Sequence, residues 1–154
     1  MRQIVRVQNP QLWERFQLAK KSLREKLGRE SDILELWHGH REIGQESITA
    51  GEEGFDQRFA YKDGLFGAGN YFAVHSSYSA NESFVHKRQD GMKSILYNKV
   101  LIGRSANDVD RTGNKNKPPM YDGKDRYDSV TGGSSMYIVY DNMKPYPLYN
   151  VIFS

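Results

Sequence analysis

The chain contains no cysteine, and this absence removes several kinds of chemistry at once. It excludes disulfides, thiolate metal sites and cysteine nucleophiles. It also fits a reducing compartment, so we expect an intracellular protein, in the cytoplasm or the nucleus. Long apolar runs are missing as well, since no stretch approaches the roughly 20 residues that a membrane-spanning helix needs. The amino-terminal residues have no signal-peptide core, so nothing in the sequence predicts secretion.

Strong net charge is also absent, because the formal value is only +3. A small positive charge favours contact with anions such as a dinucleotide or RNA, but it identifies neither. Of the 154 residues, 38% are hydrophobic and 27% are charged, which is typical of a globular protein with one hydrophobic core. We find no internal repeat and no linker, so we predict a single domain over residues 1–154.

The first strong pattern is an amphipathic helix over residues 9–28. Asn9 can cap this helix, Pro10 fits its first turn, and Gly28 ends it. Apolar residues recur at helical spacing, at Leu12, Phe16, Ala19, Leu23 and Leu27. The opposite face is basic and contains Arg15, Lys20, Lys21, Arg24, Lys26 and Arg29. This face is either simply solvated, as charged helix faces usually are, or it is a surface for nucleic acid.

Strand patterns dominate the rest of the chain. We predict strands over residues 33–37, 70–75, 94–103, 136–140 and 146–153, and further helices over residues 42–50 and 77–87. Residues 104–126 have no periodicity and are predicted to form a long loop. Because the last strands are joined by connections too short for helical crossovers, the predicted class is α+β with a mainly antiparallel sheet.

The most informative segment is the glycine-rich turn and strand from Gly64 to His75, about thirty residues after Leu36-Trp-His-Gly-His40. Glycines expose backbone amides, and the aromatic residues that follow supply a rigid face. The combination predicts a pocket for a flat, polar ligand.

Several familiar kinds of site do not match these residues. His38, His40 and His75 lack a carboxylate partner on the same element, so a metal site is not favoured. Gly67-Ala-Gly69 precedes a strand, whereas the dinucleotide-binding glycine motif precedes a helix. The Gly-Lys-Ser or Gly-Lys-Thr of a Walker phosphate loop is absent.

Seven segments, in order, resemble the catalytic domain of the poly(ADP-ribose) polymerase family. They are Leu36-Trp-His-Gly39, Gly67-Ala-Gly-Asn-Tyr-Phe-Ala73, Tyr78-Ser-Ala-Asn81, Lys99-Val-Leu-Ile-Gly103, Tyr127-Asp-Ser-Val130, Met136-Tyr-Ile-Val-Tyr140 and Tyr146-Pro-Leu-Tyr149. The opening segment, residues 4–13, is similar to the start of this domain in the macrodomain-associated, mono-ADP-ribosylating members. Each motif is weak alone, but seven in the right order are specific, and together they span nearly the whole chain.

The resemblance implies both a fold and a reaction. The fold would be ADP-ribosyltransferase-like, with two packed, mainly antiparallel sheets and flanking helices around an NAD⁺ cleft. The reaction would transfer ADP-ribose from NAD⁺, the co-substrate, to an acceptor with release of nicotinamide. Such an enzyme is a pentosyltransferase that uses no metal, and its partners would be NAD⁺ and a protein acceptor, either another protein or the chain itself.

The resemblance also assigns roles to individual residues. His38 would bind a ribose hydroxyl on the adenosine side, and the Gly39 backbone would clamp the nicotinamide carboxamide. Ser79 would bind the same carboxamide, with Tyr78 in the same cofactor-binding segment, and Tyr71 would stack on the nicotinamide ring. Without the other motifs, a histidine at a strand end and an aromatic residue in a strand are ordinarily structural.

The third catalytic position of the family is Met136 in this sequence. Polymerising members have a glutamate there, which binds the nicotinamide ribose and activates the hydroxyl of the growing chain. A thioether cannot act as a base, so chain elongation should be lost. Mono-ADP-ribosylating relatives have an apolar residue at this position, and an acceptor Asp or Glu could supply the missing negative charge. The sequence therefore predicts transfer of one ADP-ribose at a time.

Three departures from the family pattern keep other functions open. His40 replaces a small hydroxyl residue, Glu82 replaces a second stacking tyrosine, and residues 60–66 form a short segment where the loop beside the donor site is expected. The alternatives are a catalytically silent module that binds NAD⁺, ADP-ribose or RNA, and a transferase whose acceptor is nucleic acid. The sequence implies no oligomer.

Overall fold

A computed structural model describes residues 3–56, 58, 60, 64, 66–107, 116–133 and 135–154. Within these residues the elements are, in order, β1 (Gln3–Arg6), α1 (Pro10–Leu27), β2 (Ile33–His38), α2 (Gln45–Thr49), β3 (Asn70–Ala73), α3 (Ser76–Ser79), β4 (His86–Lys87), β5 (Lys93–Leu101), β6 (Ser105–Asn107), β7 (Ser129–Gly132), β8 (Met136–Val139) and β9 (Pro145–Phe153). Strands outnumber helices in the described residues, which confirms the α+β class.

Helix α1 matches the prediction for residues 9–28. The Asn9 side-chain oxygen accepts a hydrogen bond from the Leu12 N–H at 3.2 Å, and Pro10 occupies the first turn. Gly28 ends the helix with a φ of 69°, and its N–H donates to the Arg24 carbonyl. The buried face packs against the sheet through Leu12, Phe16, Ala19, Leu23, Leu101 and Tyr146. Capping and periodicity therefore identified both ends of this helix.

The described strands form one continuous hydrogen-bonded sheet, so the expectation of two separate sheets is corrected. Its order is β1-β9-β5-β2-β3-β8-β7-β6, with β4 paired to β5. Pairing is antiparallel except between β6 and β7. The continuity depends on one narrow joint, because β2 and β3 share a single register pair, Trp37 with Ala73. Two half-sheets, β1-β9-β5-β2 and β3-β8-β7-β6, meet there.

Hydrophobic packing holds the half-sheets together where backbone hydrogen bonds are few. Leu36 and Leu96 from one half-sheet share a buried cluster with Phe72 and Val139 from the other, and Phe55 belongs to the same cluster. Such packing is non-directional and scales with the apolar area removed from water. It can therefore join two half-sheets without a regular ladder between them.

The predicted helix over residues 77–87 is wrong. Helix α3 ends at Ser79, and turns lead from there to β4. The Asn81 carbonyl accepts hydrogen bonds from the Phe84 and Val85 N–H groups, and its side chain accepts one from Ser83. Asparagine and serine side chains compete in this way with helical hydrogen bonds, so this polar segment folds into turns.

Other differences involve short elements. Strand β3 and helix α2 are shorter than predicted, and strands β1, β4, β6 and β7 were not predicted. Two to four residues are too few to show a clear alternation. The predicted loop 104–126 contains β6 and an isolated bridge between Met120 and Arg126, while residues 108–115 lie outside the described residues. Most of the short segment at 60–66 also lies outside them. No helix in the described parts of the chain is long and apolar enough to cross a membrane.

Truncation of Phe72 tests the joint between the half-sheets. Phe72 is fully buried, so Phe72→Ala is expected to lower the free energy of unfolding by about 3–5 kcal/mol, because it removes apolar contacts and leaves a cavity. Leu18→Ala is the control, since Leu18 is 59% exposed on α1 and its loss should be below about 0.5 kcal/mol. Urea titration measures both, and equal losses would contradict the role assigned to Phe72.

Candidate functional site

A cleft of about 510 Å³ opens where β2 ends. Its volume falls in the range of roughly 300–1,000 Å³ that is usual for small-molecule pockets. One wall is the end of β2 at His38, another is α2, and a third is the loop that carries Phe55 and Asp56. Asn70, at the start of β3, also lines the cleft. The cleft therefore lies beside the joint between the two half-sheets.

His38 is buried at the end of β2, and its tautomer follows from one hydrogen bond. Its Nδ1 lies 2.7 Å from the carbonyl oxygen of Tyr71. Because a carbonyl can only accept, Nδ1 carries the hydrogen and Nε2 of the neutral ring is an acceptor. Burial lowers the pKa of His38 to about 4; the bond to Tyr71 opposes this shift and the nearby His40 adds to it. His38 is therefore neutral at pH 7.

The Nε2 atom of His38 is buried and has no hydrogen-bond partner among the described residues. An unsatisfied buried acceptor costs about 1–3 kcal/mol, so its presence beside a cleft needs an explanation. Phe55 and Phe72 hold the ring in place, with centroids 5.0 and 5.2 Å from that of the imidazole. The arrangement suits a ligand that brings a hydroxyl donor.

Gly39 lies close to Ser79 in the structure. A methyl group at Gly39 would lie 2.6 Å from the Ser79 carbonyl oxygen and 2.9 Å from that of Phe84. Only glycine allows α3 and the turn after it to approach β2 so closely. Ser79 itself is buried at this close contact with Gly39.

The hydroxyl of Tyr71 is fully engaged by the glycine-rich turn. It accepts a hydrogen bond from the Phe66 N–H and donates one to the Gly67 carbonyl, each at 2.8 Å. Tyr140 donates its own hydroxyl to the Phe66 carbonyl, so two tyrosines clamp this turn. Burial raises the pKa of Tyr71, which keeps the phenol neutral. With its hydroxyl engaged, Tyr71 offers a ligand mainly its ring face.

Met136 lies on the same face of the sheet as Tyr71. It is the register partner of Ala73 on β3 and of Gly132 on β7. Directly opposed residues on neighbouring strands project to the same face, and so do residues two apart on one strand. Tyr71, Ala73, Met136 and Gly132 therefore share one face of the sheet. Tyr71 and Met136 are diagonal neighbours, which places their backbones about 7–8 Å apart. The ring of Phe66 packs against Gly132 beside them.

The predicted residues do not all line the cleft. Of the six, only His38 does so. The Tyr71 carbonyl contacts the His38 ring, and Gly39 lies close to Ser79. On β3, Ala73 pairs with Trp37 on one side and with Met136 on the other. The ring of Tyr78 stacks instead on Phe84, at 5.0 Å and 17°, and is exposed.

Sequence reasoning missed four residues of this region. Asn70 is buried and donates to the Phe55 carbonyl, and Phe66 anchors the turn that holds Tyr71. Asp56 forms a bidentate pair with Arg58, whose guanidinium lowers the pKa of that carboxyl. Asn70 and Phe66 lie within the glycine-rich segment, so its position was the signal for them. The pair of Asp56 and Arg58 had no comparable signal.

The basic face of α1 is largely neutralised by nearby acids. Arg15 pairs with Glu53, Arg24 with Glu30, Lys26 with Asp128 and Arg29 with Asp32, which leaves only Lys20 and Lys21 outside an ion pair in the described structure. This pairing weakens the case for a nucleic-acid surface on α1. Among the described residues, no three His, Asp or Glu side chains are grouped as metal ligands would be.

The protonation of His38 predicts how stability changes with pH. The pKa of His38 is about 4 in the folded state and 6.5 in an ordinary histidine. At pH values between these two, the unfolded chain therefore binds more protons than the folded chain. The free energy of unfolding should therefore fall as the pH falls from 7 to 4, by about 3 kcal/mol from this residue. Urea titrations at several pH values measure the slope.

His38→Gln provides the comparison, because glutamine keeps polar atoms but does not titrate. Carboxylates with a lowered pKa, such as Glu82 at about 2, remain in both proteins and cancel in the difference. The variant should show a flatter dependence between pH 7 and 4. Identical slopes would mean that His38 is not held neutral by burial.

Comparison with known proteins supports the identity suggested by the motifs. The family model for the poly(ADP-ribose) polymerase catalytic domain matches residues 1–125, which includes β2 and β3 but ends before Met136. The protein mono-ADP-ribosyltransferase PARP14 of Homo sapiens is 30% identical over 159 residues, which cover 97% of this chain and 8% of that protein.

Two further relatives agree. A probable poly [ADP-ribose] polymerase of Dictyostelium discoideum is 33% identical over 154 residues, which cover 97% of this chain and 43% of its own length. The protein mono-ADP-ribosyltransferase PARP12 of Homo sapiens is 28% identical over 163 residues, covering all of this chain and 22% of that protein. The chain thus spans less than half the length of each of these relatives. Because the family model matches residues 1–125, which are most of the chain, the chain belongs to the family of poly(ADP-ribose) polymerase catalytic domains.

Proposed function

We propose that residues 1–154 act as one catalytic domain, a mono-ADP-ribosyltransferase that transfers a single ADP-ribose from NAD⁺ to a protein Asp or Glu. The observation that carries the single transfer is Met136, on the same face of the sheet as Tyr71 and beside it. A carboxylate at this point would be needed to activate a sugar hydroxyl, and a thioether cannot do so.

The residues around the cleft fit the donor NAD⁺. The free acceptor at His38 Nε2 matches a ribose hydroxyl on the adenosine side. The backbone of Gly39 offers one N–H and one C=O, the complement of a carboxamide, and the Ser79 hydroxyl adds a further contact. The ring of Tyr71 supplies a face for the cationic nicotinamide. Each group thus meets a chemically matched part of NAD⁺.

The chemistry requires no base in the first transfer. The glycosidic C–N bond breaks, nicotinamide leaves as a neutral molecule with the electron pair, and positive charge develops on the ribose. An ionised acceptor carboxylate stabilises this charge and forms the new C–O bond, so charge balances without a proton transfer. Attack by a sugar hydroxyl would need a proton acceptor, which Met136 does not provide. The first ADP-ribose can therefore be transferred, and a second is disfavoured.

The named relatives agree on the family, but their names differ on whether one ADP-ribose or many are transferred. Two are called mono-ADP-ribosyltransferases, and one is called a probable poly [ADP-ribose] polymerase. The preference for single transfer consequently rests on Met136. The alternatives are a catalytically silent module that binds NAD⁺, ADP-ribose or RNA, and a transferase that modifies nucleic acid.

Labelled NAD⁺ separates these functions. Incubation with the protein, with and without protein and RNA acceptors, should give nicotinamide release and one discrete labelled band on a gel. His38→Ala and Tyr71→Ala should abolish the label while circular dichroism shows an intact fold, because each removes a contact to the donor.

Each alternative predicts a different result in that experiment. No nicotinamide and no label on any acceptor would favour the silent module, and label on RNA alone would favour the nucleic-acid enzyme. A ladder of products would show that Met136 does not prevent elongation. Full activity in both variants would mean that His38 and Tyr71 have been assigned wrongly.

The cleft should also discriminate against a phosphorylated donor. A 2′-phosphate removes one of the two hydroxyls of the adenosine ribose that can donate to His38. Glu42, Glu52 and Glu53 line the same cleft, and its cation Arg58 is already paired with Asp56. We expect kcat/KM for NADP⁺ to be lower than for NAD⁺ by roughly tenfold or more. Nicotinamide release from each donor measures the ratio, and equal rates would argue against a contact between His38 and the 2′-hydroxyl.

A further inference from the structure

One row of register partners crosses seven strands and includes Met136. Its members, from β1 to β7, are Arg6, Tyr149, Tyr97, Trp37, Ala73, Met136 and Gly132. Directly opposed residues of antiparallel strands project to the same face. The row therefore places three large aromatic residues on the face of the sheet that carries the catalytic position.

We call Trp37, Tyr97 and Tyr149 the aromatic shelf. The rings of Trp37 and Tyr97 lie 4.7 Å apart, and Tyr149 is 37% exposed. Ile4, on the neighbouring edge strand β1, is 69% exposed. Trp37 and Tyr97 are half-buried, so the shelf is a partly exposed aromatic surface that continues into Tyr149 and Ile4. Such surface often marks an interaction site, and Trp, Tyr and Arg are enriched where binding energy is concentrated.

The charges around the aromatic shelf are mainly positive. Arg6 ends the row at the edge of the sheet, and it also borders a cavity on the α2 side. Lys99 lies two residues beyond Tyr97 on β5, so it projects to the same face as Tyr97. Neither forms an ion pair within the described residues. Glu35, the register partner of Lys99, offsets part of this positive charge and accepts a hydrogen bond from the Tyr97 hydroxyl at 2.7 Å. Nearby, Glu82 pairs with two lysines. An acidic partner is the one that this balance favours.

The shelf also lies within reach of the catalytic position. Four strand-to-strand steps separate Tyr149 from Met136, which at about 4.8 Å per step is roughly 19 Å. An extended segment of about six residues spans this distance. A polypeptide lying on the shelf can therefore present a side chain beside Met136.

We propose that the aromatic shelf, with Arg6 and Lys99, binds the protein acceptor as an extended acidic segment. One carboxylate of that segment reaches the ribose beside Met136 and forms the C–O bond as the C–N bond to nicotinamide breaks. The acceptor thus brings the negative charge that Met136 lacks. The chemical step rests on the proposed function, whereas the docking is a binding property that can be measured without turnover.

A binding assay tests the docking directly. The probe is a fluorescent random copolymer of glutamate and tyrosine, and its Kd for the full chain is read by anisotropy. Arg6→Glu combined with Lys99→Glu should weaken binding about tenfold, because it replaces two attractions with two repulsions. Lys20→Glu combined with Lys21→Glu is the matched control, with the same change in net charge on α1, and should alter Kd less than about twofold.

A second variant separates aromatic contact from charge. Tyr149→Ser keeps the charge and should weaken binding several-fold, since it removes an exposed ring of the shelf. If both charge variants weaken binding equally, or if neither does, the shelf is not the docking site. Loss in the α1 variant alone would assign docking to α1 and would also overturn the proposal.

Nicotinamide release without the copolymer reports donor cleavage separately. The shelf variants should leave this rate unchanged while labelling of the copolymer falls in parallel with binding. If the unaltered protein releases no nicotinamide even when the copolymer is present, the proposed function fails, but the binding measurements still decide whether the shelf docks an acidic chain. A fall in release that matches the fall in labelling would show that the shelf acts on the donor and would contradict its role in acceptor binding.

Discussion

The hydrogen bond from His38 Nδ1 to the Tyr71 carbonyl is the contact on which the rest of the site depends. It spans the two half-sheets next to a joint that has only one register pair, Trp37 with Ala73. It also determines the tautomer of His38, because a carbonyl cannot donate. One short contact therefore ties β2 to β3 and leaves Nε2 as a buried acceptor beside the cleft. The neighbouring phenylalanines keep that ring desolvated, which maintains its neutral form.

The architecture separates the two halves of the proposed reaction. The donor side consists of groups that the backbone positions closely: His38 at a strand end, Gly39 against α3, and Tyr71 with its hydroxyl engaged by the glycine-rich turn. The acceptor side has no carboxylate of its own at Met136, but it continues along the sheet face into the aromatic shelf. In this arrangement the protein holds NAD⁺ by preorganised contacts and relies on the acceptor for the nucleophile and the stabilising charge.

Local sequence signals predicted the elements that are long or sharply bounded. The cap at Asn9, the apolar spacing along α1 and the stop at Gly28 describe that helix almost to the residue. The long strand β5 was predicted for the same reason, since its alternation extends over nine residues. The segment after Ser79 was predicted incorrectly, because polar side chains there bond to nearby backbone groups, which helical periodicity does not reveal. Short strands such as β6 and β7 depend on their neighbours and leave no readable pattern of their own.

By itself, the sequence determined the α+β class, the family resemblance and the chemical types at the site, because these follow from residue identity, periodicity and motif order. It also determined that a thioether stands where the family resemblance would place the third catalytic residue. Only the tertiary structure decided that the half-sheets form one sheet, that His38 is neutral with no partner for Nε2 in the described part of the chain, and that Met136 shares a row with Trp37, Tyr97 and Tyr149. These properties depend on strand register and burial, and both arise from contacts between residues that lie far apart in the chain.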